Sequence, residues 1–228
     1  MYLKTKVKNI EIVYRWRLNG GGLIFCYEFV HLVAEKIGKV DHVFEYCAGP
    51  GFIGFSLLAN NLCERLTLAD VNPEAVEVIA ETIKANNLQD RVTVYQSDCL
   101  DAIPVTEQWD LVVGNPPWWL CPKGWRDIRV CDPQGRVHEK FYQDIRKFLK
   151  PRGSIFFIEG GEYTKAGRFE EMITKNGLQR VGTFHVRFLW DVFRKRKEYR
   201  GLNPALIVFL RFCLFCRRAY FIWVKRVE

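Results

Sequence analysis

Between residues 42 and about 160, short apolar runs alternate with amphipathic stretches, and this alternation constrains the fold of the 228-residue chain most. Apolar runs of this length indicate buried strands, and the stretches between them carry apolar residues at helical spacing. The alternation predicts an α/β fold: a Rossmann-like doubly wound sheet, mostly parallel with an antiparallel final strand, and with helices on both faces. The predicted strands are 42–47, 65–70, 92–96, 109–114, 154–159, 178–187 and 220–226, with helices at 52–61, 73–86, 137–149 and 168–175.

Two segments lie outside this alternation. Apolar residues at helical spacing over 23–37 predict a helix, so residues 1–40 are expected to form a helical cap over the open end of a domain spanning 41–228. The apolar run 205–216, in an insertion near 204–217, is too short to span a bilayer, which needs about 20 residues. It predicts a buried or interface helix that could contact a protein partner or a second copy. A strand over 205–212 and an in-plane membrane helix are the alternatives.

Composition narrows the class of protein. Hydrophobic content of 49% excludes disorder, and the net charge of +8 is concentrated near the two ends of the chain. Such basic runs could face nucleic acid, acidic lipid or an acidic partner, or could simply be solvated. The eight cysteines lie mainly in apolar segments and no secretory signal opens the chain, so a reduced, cytoplasmic setting is expected. Cys213 and Cys216 lack a second pair of ligands, so no metal is predicted.

A glycine-rich loop joins the first predicted strand of the alternating region to its first helix. Gly49 and Gly51 allow a sharp turn and close approach to a ligand, while Gly54 lets the helix pack tightly on the strand. Asp70 ends the next strand, where it can accept hydrogen bonds from ribose hydroxyls. These features fit a dinucleotide and S-adenosylmethionine equally well, because both carry an adenosine ribose.

Two further acidic residues favour the sulfonium cofactor. Asp98 ends the third strand, where it can accept from an adenine amino group while the backbone N–H of Cys99 meets a ring nitrogen. Glu45 ends the first strand, where its charge would attract an ammonium and a sulfonium but repel a pyrophosphate. S-adenosylmethionine therefore accounts for more of these residues than a dinucleotide does.

The turn Asn115-Pro116-Pro117-Trp118 ends the fourth strand. Each proline forces the residue before it into an extended conformation, which places the Asn115 side-chain oxygen and the Pro116 carbonyl side by side. Two adjacent acceptors suit the N–H groups of an amide or amine, and Trp118 offers a flat face to a planar group. An isolated turn of this kind would indicate only a proline-rich loop. This turn indicates a binding site because an acidic residue ends each of the three preceding strands.

Residues 42 to about 160 resemble the class I S-adenosylmethionine-dependent methyltransferases. The tetrapeptide is similar to the N-P-P-aromatic motif of enzymes that methylate planar nitrogens, namely nucleic-acid adenine-N6 and guanine-N2 methyltransferases and HemK-type glutamine methyltransferases. One departure is Cys47, which replaces the first glycine of the family's loop. The resemblance implies S-adenosylmethionine as cofactor, bound by Glu45, Cys47, Ala48, Gly49, Gly51, Phe52, Asp70, Val71, Asp98, Cys99 and Asn115.

The proposed reaction is direct transfer of a methyl group from sulfonium to nitrogen, with Asn115, Pro116 and Trp118 as catalytic residues. Two acceptors on the N–H groups would favour a pyramidal nitrogen and aim its lone pair at the methyl carbon. The long loop 119–136 is predicted to be a lid. Predicted acceptor contacts are Gly21, Gly22, Phe25, Pro117, Trp118, Trp119, Trp125 and Glu159, whereas His138 is expected at a helix surface or cap.

The acceptor stays open at this point. A small molecule or a peptide or protein amide is slightly favoured over RNA or DNA, since no aromatic stacking platform accompanies the basic runs. An NAD-dependent oxidoreductase is the alternative enzyme class, and a non-catalytic partner subunit is the non-enzymatic alternative.

Overall fold

A computed structural model of the chain describes residues 1–118, 127, 129–160, 166–185 and 219–227. The predicted lid 119–136 lies partly, and the predicted insertion 204–217 entirely, outside the described residues. The described elements, in chain order, are β1 (Leu3–Val7), β2 (Ile10–Tyr14), α1 (Gly22–Lys36), β3 (Val40–Tyr46), α2 (Phe52–Ala59), β4 (Cys63–Asp70), α3 (Pro73–Ala85), β5 (Val92–Gln96), β6 (Trp109–Gly114), α4 (Arg136–Asp144), β7 (Leu149–Gly160), α5 (Glu170–Lys175), β8 (Leu178–His185) and β9 (Ala219–Arg226).

Within the described residues, seven strands form the main sheet in the order β5-β4-β3-β6-β7-β9-β8. The ladders from β5 to β7 are parallel, and β9 runs antiparallel to both of its neighbours. The predicted fold class is therefore confirmed. Chain order reverses between β3 and β6, and the carboxyl ends of these two strands open the crevice where such sheets bind ligands.

Hydrophobic cores form on both faces of the sheet. Successive residues of β3 enter opposite cores: Val43 packs with α1 and α2, whereas Phe44 packs with α4 and α5. This alternation is what a strand buried on both faces requires. It fixes which ends of the helices point toward the crevice.

The amino-terminal segment contains a hairpin that the sequence analysis did not predict. Helix α1 forms close to the predicted span, but β1 and β2 pair with each other, and β2 packs on α3. The amide of Val13 donates to Thr82 Oγ1 at 2.9 Å, and Arg15 pairs with Glu77 at 3.0 Å. The signal was weak, since charged residues alternate with the others only in β1, whereas Glu11 alone interrupts the apolar run of β2.

The fifth predicted strand also differs from the structure. Helix α4 ends at Asp144 and a short 3-10 turn follows, so β7 begins at Leu149 instead of 154. A register shift between β6 and β7 and a positive φ of 64° at Arg152 absorb the extra residues. Among the described residues, no helix is long and apolar enough to cross a membrane.

Candidate active site

An open cavity lies at the carboxyl ends of β3 and β6, where the order of the strands reverses. The residues that follow these strands meet the amino end of α1 there. Its lining also includes Arg129, which belongs to the predicted lid 119–136, and Leu18, which the sequence analysis did not predict. The predicted site residues in its lining are Gly22, Glu45, Cys47, Ala48, Phe52, Asn115 and Pro117.

The glycines of the loop are needed for its geometry. Gly51 has φ of 79° and caps the amino end of α2. A Cβ at Gly54 would lie 2.7 Å from both Glu45 Oε2 and Leu66 Cδ1, so any larger residue would push α2 away from β3 and β4. The loop therefore brings the backbone of α2 onto the Glu45 carboxylate.

Glu45 is buried at the floor of this cavity, where it accepts hydrogen bonds from two amides of α2. Ile53 N donates to Oε1 at 3.3 Å and Gly54 N donates to Oε2 at 2.6 Å. Burial raises the pKa of Glu45 from 4.5 to about 8, although the two amides oppose that shift. The pKa is higher in the folded than in the unfolded chain, so this group destabilises the fold progressively as the pH rises from 4.5 to about 8.

We expect the affinity for S-adenosylhomocysteine to rise between about pH 6 and pH 8, by up to about tenfold per pH unit. The ligand's ammonium favours the ionised form of Glu45, so binding must displace a proton in this range. Titration calorimetry on the native chain and on Glu45→Gln measures the effect. The variant should show a flat dependence, and equal slopes in the two proteins would assign the dependence to another group.

Asp70 connects β4 to the glycine-rich loop. Gly49 N donates to its Oδ2 at 2.7 Å and Asn72 N to its Oδ1 at 2.9 Å. A carboxylate has acceptor capacity beyond two bonds, so the side chain can still receive a ribose hydroxyl. Burial raises the pKa of Asp70, and the neighbouring Val71 is exposed.

Asp98 lies beyond β5 and forms an ion pair that the sequence analysis missed. Its Oδ2 lies 2.6 Å from Arg136 Nη2 and 3.6 Å from Lys140 Nζ. Partial burial opposes ionisation, but Arg136 outweighs it and holds the pKa of Asp98 below its usual value. Cys99 follows with φ of 56°, and the Tyr46 hydroxyl donates to its Sγ at 3.1 Å. Arg136, the first residue of α4, therefore orients the predicted adenine acceptor.

Asn115 is held by one hydrogen bond and has one acceptor left over. Its Nδ2 donates to the carbonyl oxygen of Gly20 at 2.8 Å. Its Oδ1 is buried and has no hydrogen-bond partner among the described residues. A buried acceptor without a donor costs about 1–3 kcal/mol, so this oxygen is set up to receive an N–H group from a ligand. Gly20 precedes α1, which means that the amino-terminal segment orients the tetrapeptide.

Trp118 packs against the end of β7. A Cβ at Gly160 would overlap its indole ring, so only glycine permits this contact. On the other side of the turn, the ring of Phe25 lies 3.0 Å from where a Cβ on Gly21 would be. Of the other predicted acceptor contacts, Trp119 and Trp125 lie outside the described residues.

The prediction that His138 lies at a helix surface or cap is wrong. Its side chain is buried, with Nδ1 2.6 Å from Asp132 Oδ2 and Nε2 2.9 Å from Glu159 Oε1. Glu159, expected beside the acceptor, is fully buried and contacts this histidine instead. The sequence alone does not indicate that His138 bridges Asp132 and Glu159, because the bridge forms only when α4 packs against β7.

The cysteines and metal-binding side chains do not form a further centre in the described part of the chain. Cys26, Cys47, Cys63 and Cys99 are free thiols, and no group of three or more His, Cys, Asp or Glu among these residues could hold a metal ion. Cys131 is disulfide-bonded, which differs from the fully reduced state expected from the sequence.

The structure has the architecture of class I methyltransferases. It combines a doubly wound sheet with a glycine-rich loop, acidic strand ends and an Asn-Pro-Pro-Trp turn, which lie around the point where the strand order reverses. The sequence model of the methyltransferase small domain matches residues 29–176. The chain belongs to this family, and the resemblance seen in the sequence is confirmed.

Individual relatives agree with this assignment. The release factor glutamine methyltransferase of Clostridium acetobutylicum is 29% identical over 161 residues, covering 65% of this chain and 56% of the relative. The protein of the same name from Streptococcus pneumoniae is 34% identical over 184 residues, covering 75% and 62%. The chain thus spans about 60% of the length of these two relatives. Ribosomal protein L11 methylase from Lactobacillus delbrueckii subsp. bulgaricus superposes with a TM-score of 0.57 at 13% identity, covering 89% of this chain and 79% of that one, and shares the fold.

Proposed function

We propose that this chain is an S-adenosylmethionine-dependent N-methyltransferase whose acceptor is a planar amide nitrogen, specifically that of a glutamine side chain in a protein or peptide. The observation that carries the proposal is the buried Oδ1 of Asn115 in the lining of the cavity, an acceptor with no donor among the residues that the structure describes. The relatives named as release factor glutamine methyltransferases favour a protein amide over a small molecule or a nucleic-acid base.

The residues around the cavity fit the cofactor. Glu45 provides a buried carboxylate for the ammonium. Gly49 has φ of 52°, and a Cβ there would lie 3.1 Å from the Leu18 carbonyl oxygen, so a glycine lets the loop approach the Leu18 segment. Asp70 and Asp98 lie on the next strands along the sheet, where the ribose and adenine would bind. S-adenosylmethionine supplies an electrophilic methyl group on its sulfonium.

The role of the chain's own residues is to position the acceptor. An amide nitrogen is a weak nucleophile because its lone pair is delocalised into the carbonyl. Asn115 Oδ1 and the Pro116 carbonyl would accept its two hydrogens, favour a pyramidal nitrogen and direct the lone pair toward the methyl carbon. Trp118 would contact the planar amide from the side of β7. When the nitrogen–carbon bond forms, the sulfur–carbon bond breaks, and the amide proton is released to solvent.

Two measurements test this function on the purified chain. S-adenosylhomocysteine should raise the melting temperature by several degrees whereas NAD⁺ should leave it unchanged, because a ligand stabilises only the fold that binds it. Labelled S-adenosylmethionine should then transfer its methyl group to a glutamine-containing peptide and not to the matched asparagine peptide. Stabilisation by NAD⁺ alone would select the oxidoreductase, and label transfer to an RNA or DNA oligonucleotide alone would select a base methyltransferase.

A cytoplasmic location and contact with a partner or second copy through 205–216 stay predictions from the sequence. The second of these depends on residues outside the described part of the chain.

A further inference from the structure

Three ionisable side chains form a buried chain of hydrogen bonds behind the candidate site. Asp132, His138 and Glu159 are 2%, 1% and 0% exposed. Asp132 also accepts from the amide of Val137 at 2.8 Å, which fixes the carboxylate at the amino end of α4. The ring of His138 is therefore held at both nitrogens, one carboxylate coming from the segment before α4 and the other from β7.

The protonation state of His138 follows from its two partners. Burial by itself lowers the pKa of His138, but the charge of Glu159 and the hydrogen bonds of both carboxylates outweigh it and raise the pKa to about 9. Both ring nitrogens then donate, and the cation lies between two acceptors. Apolar residues often replace a buried ionic cluster of this kind at no cost in stability, so stability alone does not account for it.

The first of the two carboxylates, that of Asp132, lies on the segment that lines the cavity through Arg129. Val130 N and Cys131 N both donate to the Asp127 carbonyl oxygen, at 3.2 and 2.9 Å, and form a turn just before Asp132. Arg129 in this turn lines the cavity, and its Nη1 donates to the Arg17 carbonyl oxygen at 2.8 Å. Asp132 therefore anchors the turn that carries Arg129.

The second carboxylate lies on the strand end that contacts the tryptophan of the tetrapeptide. Glu159 precedes Gly160, whose backbone supports the ring of Trp118. The ring of His138 thus joins the turn that carries Arg129 on one side to the strand end that supports Trp118 on the other.

We propose that His138 is a positioning residue that holds the Arg129 turn against β7, and so sets the width of the cavity that takes the amino-acid half of the cofactor. This inference rests on the proposed function. Loss of either hydrogen bond would let the turn shift, and the cavity would then hold the amino-acid half of the cofactor less tightly. The adenosine half, expected at Asp70 and Asp98, should be affected less, because neither residue lines this cavity and the Arg136–Asp98 ion pair does not involve His138.

Two ligands that differ only in the amino-acid half test the proposal. In His138→Gln, titration calorimetry should show S-adenosylhomocysteine binding weakened about tenfold or more, and 5′-methylthioadenosine binding changed less than about twofold. Gln can reach only one of the two carboxylates at a time, so the bridge is broken while a polar group remains.

The matched control is His42→Gln. His42 is likewise buried, with Nε2 2.9 Å from Thr67 Oγ1. It lies near the amino end of β3, however, whereas the cavity lies at the carboxyl end of this strand. This variant should leave both affinities unchanged, which separates a loss of positioning from a general loss of stability.

Glu159→Gln keeps an acceptor for Nε2 and tests the proposal even if His138→Gln does not fold. It should weaken the binding of S-adenosylhomocysteine about threefold or more without affecting the binding of 5′-methylthioadenosine. Unchanged affinity for S-adenosylhomocysteine, or equal weakening of both ligands, would overturn the role of His138. Failure of the native chain to bind either ligand would instead overturn the proposed function on which the inference rests.

Discussion

Asn115→Ala is expected to lower methyl transfer by about 10²–10³-fold, the effect of removing one acceptor or donor that acts in the transition state. The variant removes the buried Oδ1, which has no hydrogen-bond partner in the described part of the chain, together with the bond from Nδ2 to Gly20. Binding of S-adenosylhomocysteine should survive in part, because Glu45 and Asp70 are untouched. Single-turnover transfer to a glutamine peptide, with calorimetry of the cofactor product, separates the two effects.

Asn176→Ala is the matched control. Asn176 also donates from Nδ2 to a backbone carbonyl oxygen, that of Met172 at 2.7 Å, but it caps the end of α5 away from the cavity. Its variant should retain full transfer. If Asn115→Ala also retained full transfer, the assignment of the tetrapeptide as the acceptor clamp would be wrong.

Gly51→Ala is expected to lower the free energy of unfolding by about 2–4 kcal/mol, from a left-handed backbone and a crowded core together. Gly51 has φ of 79°, and a Cβ there would lie 2.7 Å from Leu68 Cδ2 and 2.8 Å from Phe55 Cε2. Both of these side chains are fully buried, so neither can move aside without disturbing β4 or α2. Urea denaturation measures the loss, and cofactor affinity should fall with it because the loop must shift.

Gly38→Ala separates the two causes. Gly38 has a similar φ of 82°, but a Cβ added there would have no atom within 4 Å. Only the backbone penalty applies there, and the expected loss is about 1 kcal/mol. Equal losses at Gly38 and Gly51 would show that packing at the loop is not tight.

Most of the sheet could be predicted from the sequence because its central strands β3, β4 and β6 are buried on both faces. Strands β4, β5 and β6 match their predicted spans within two residues, since each apolar run is bounded by residues that end it. The β1–β2 hairpin was missed because both strands are only five residues long and β2 does not alternate, so its stabilisation depends on packing against α3. The early start of β7 was missed because a proline and a glycine at 151 and 153 indicated a turn, whereas pairing with β6 overrides that signal.

The sequence by itself determined which residues at the ends of strands are candidates for the site. Glu45, the glycines after it and Asn115 are recognisable because turn geometry and acceptor type depend on adjacent residues, and the parallel sheet brings strand ends to one edge. Tertiary structure decided the partners of these residues. These contacts join residues that are far apart in the sequence: Asn115 with Gly20, Asp98 with Arg136, and Trp118 with Gly160. The hydrogen bond between His138 and Glu159 does the same. A sequence specifies which groups can bond, whereas only the packing of helices across the sheet specifies which of them come within bonding distance.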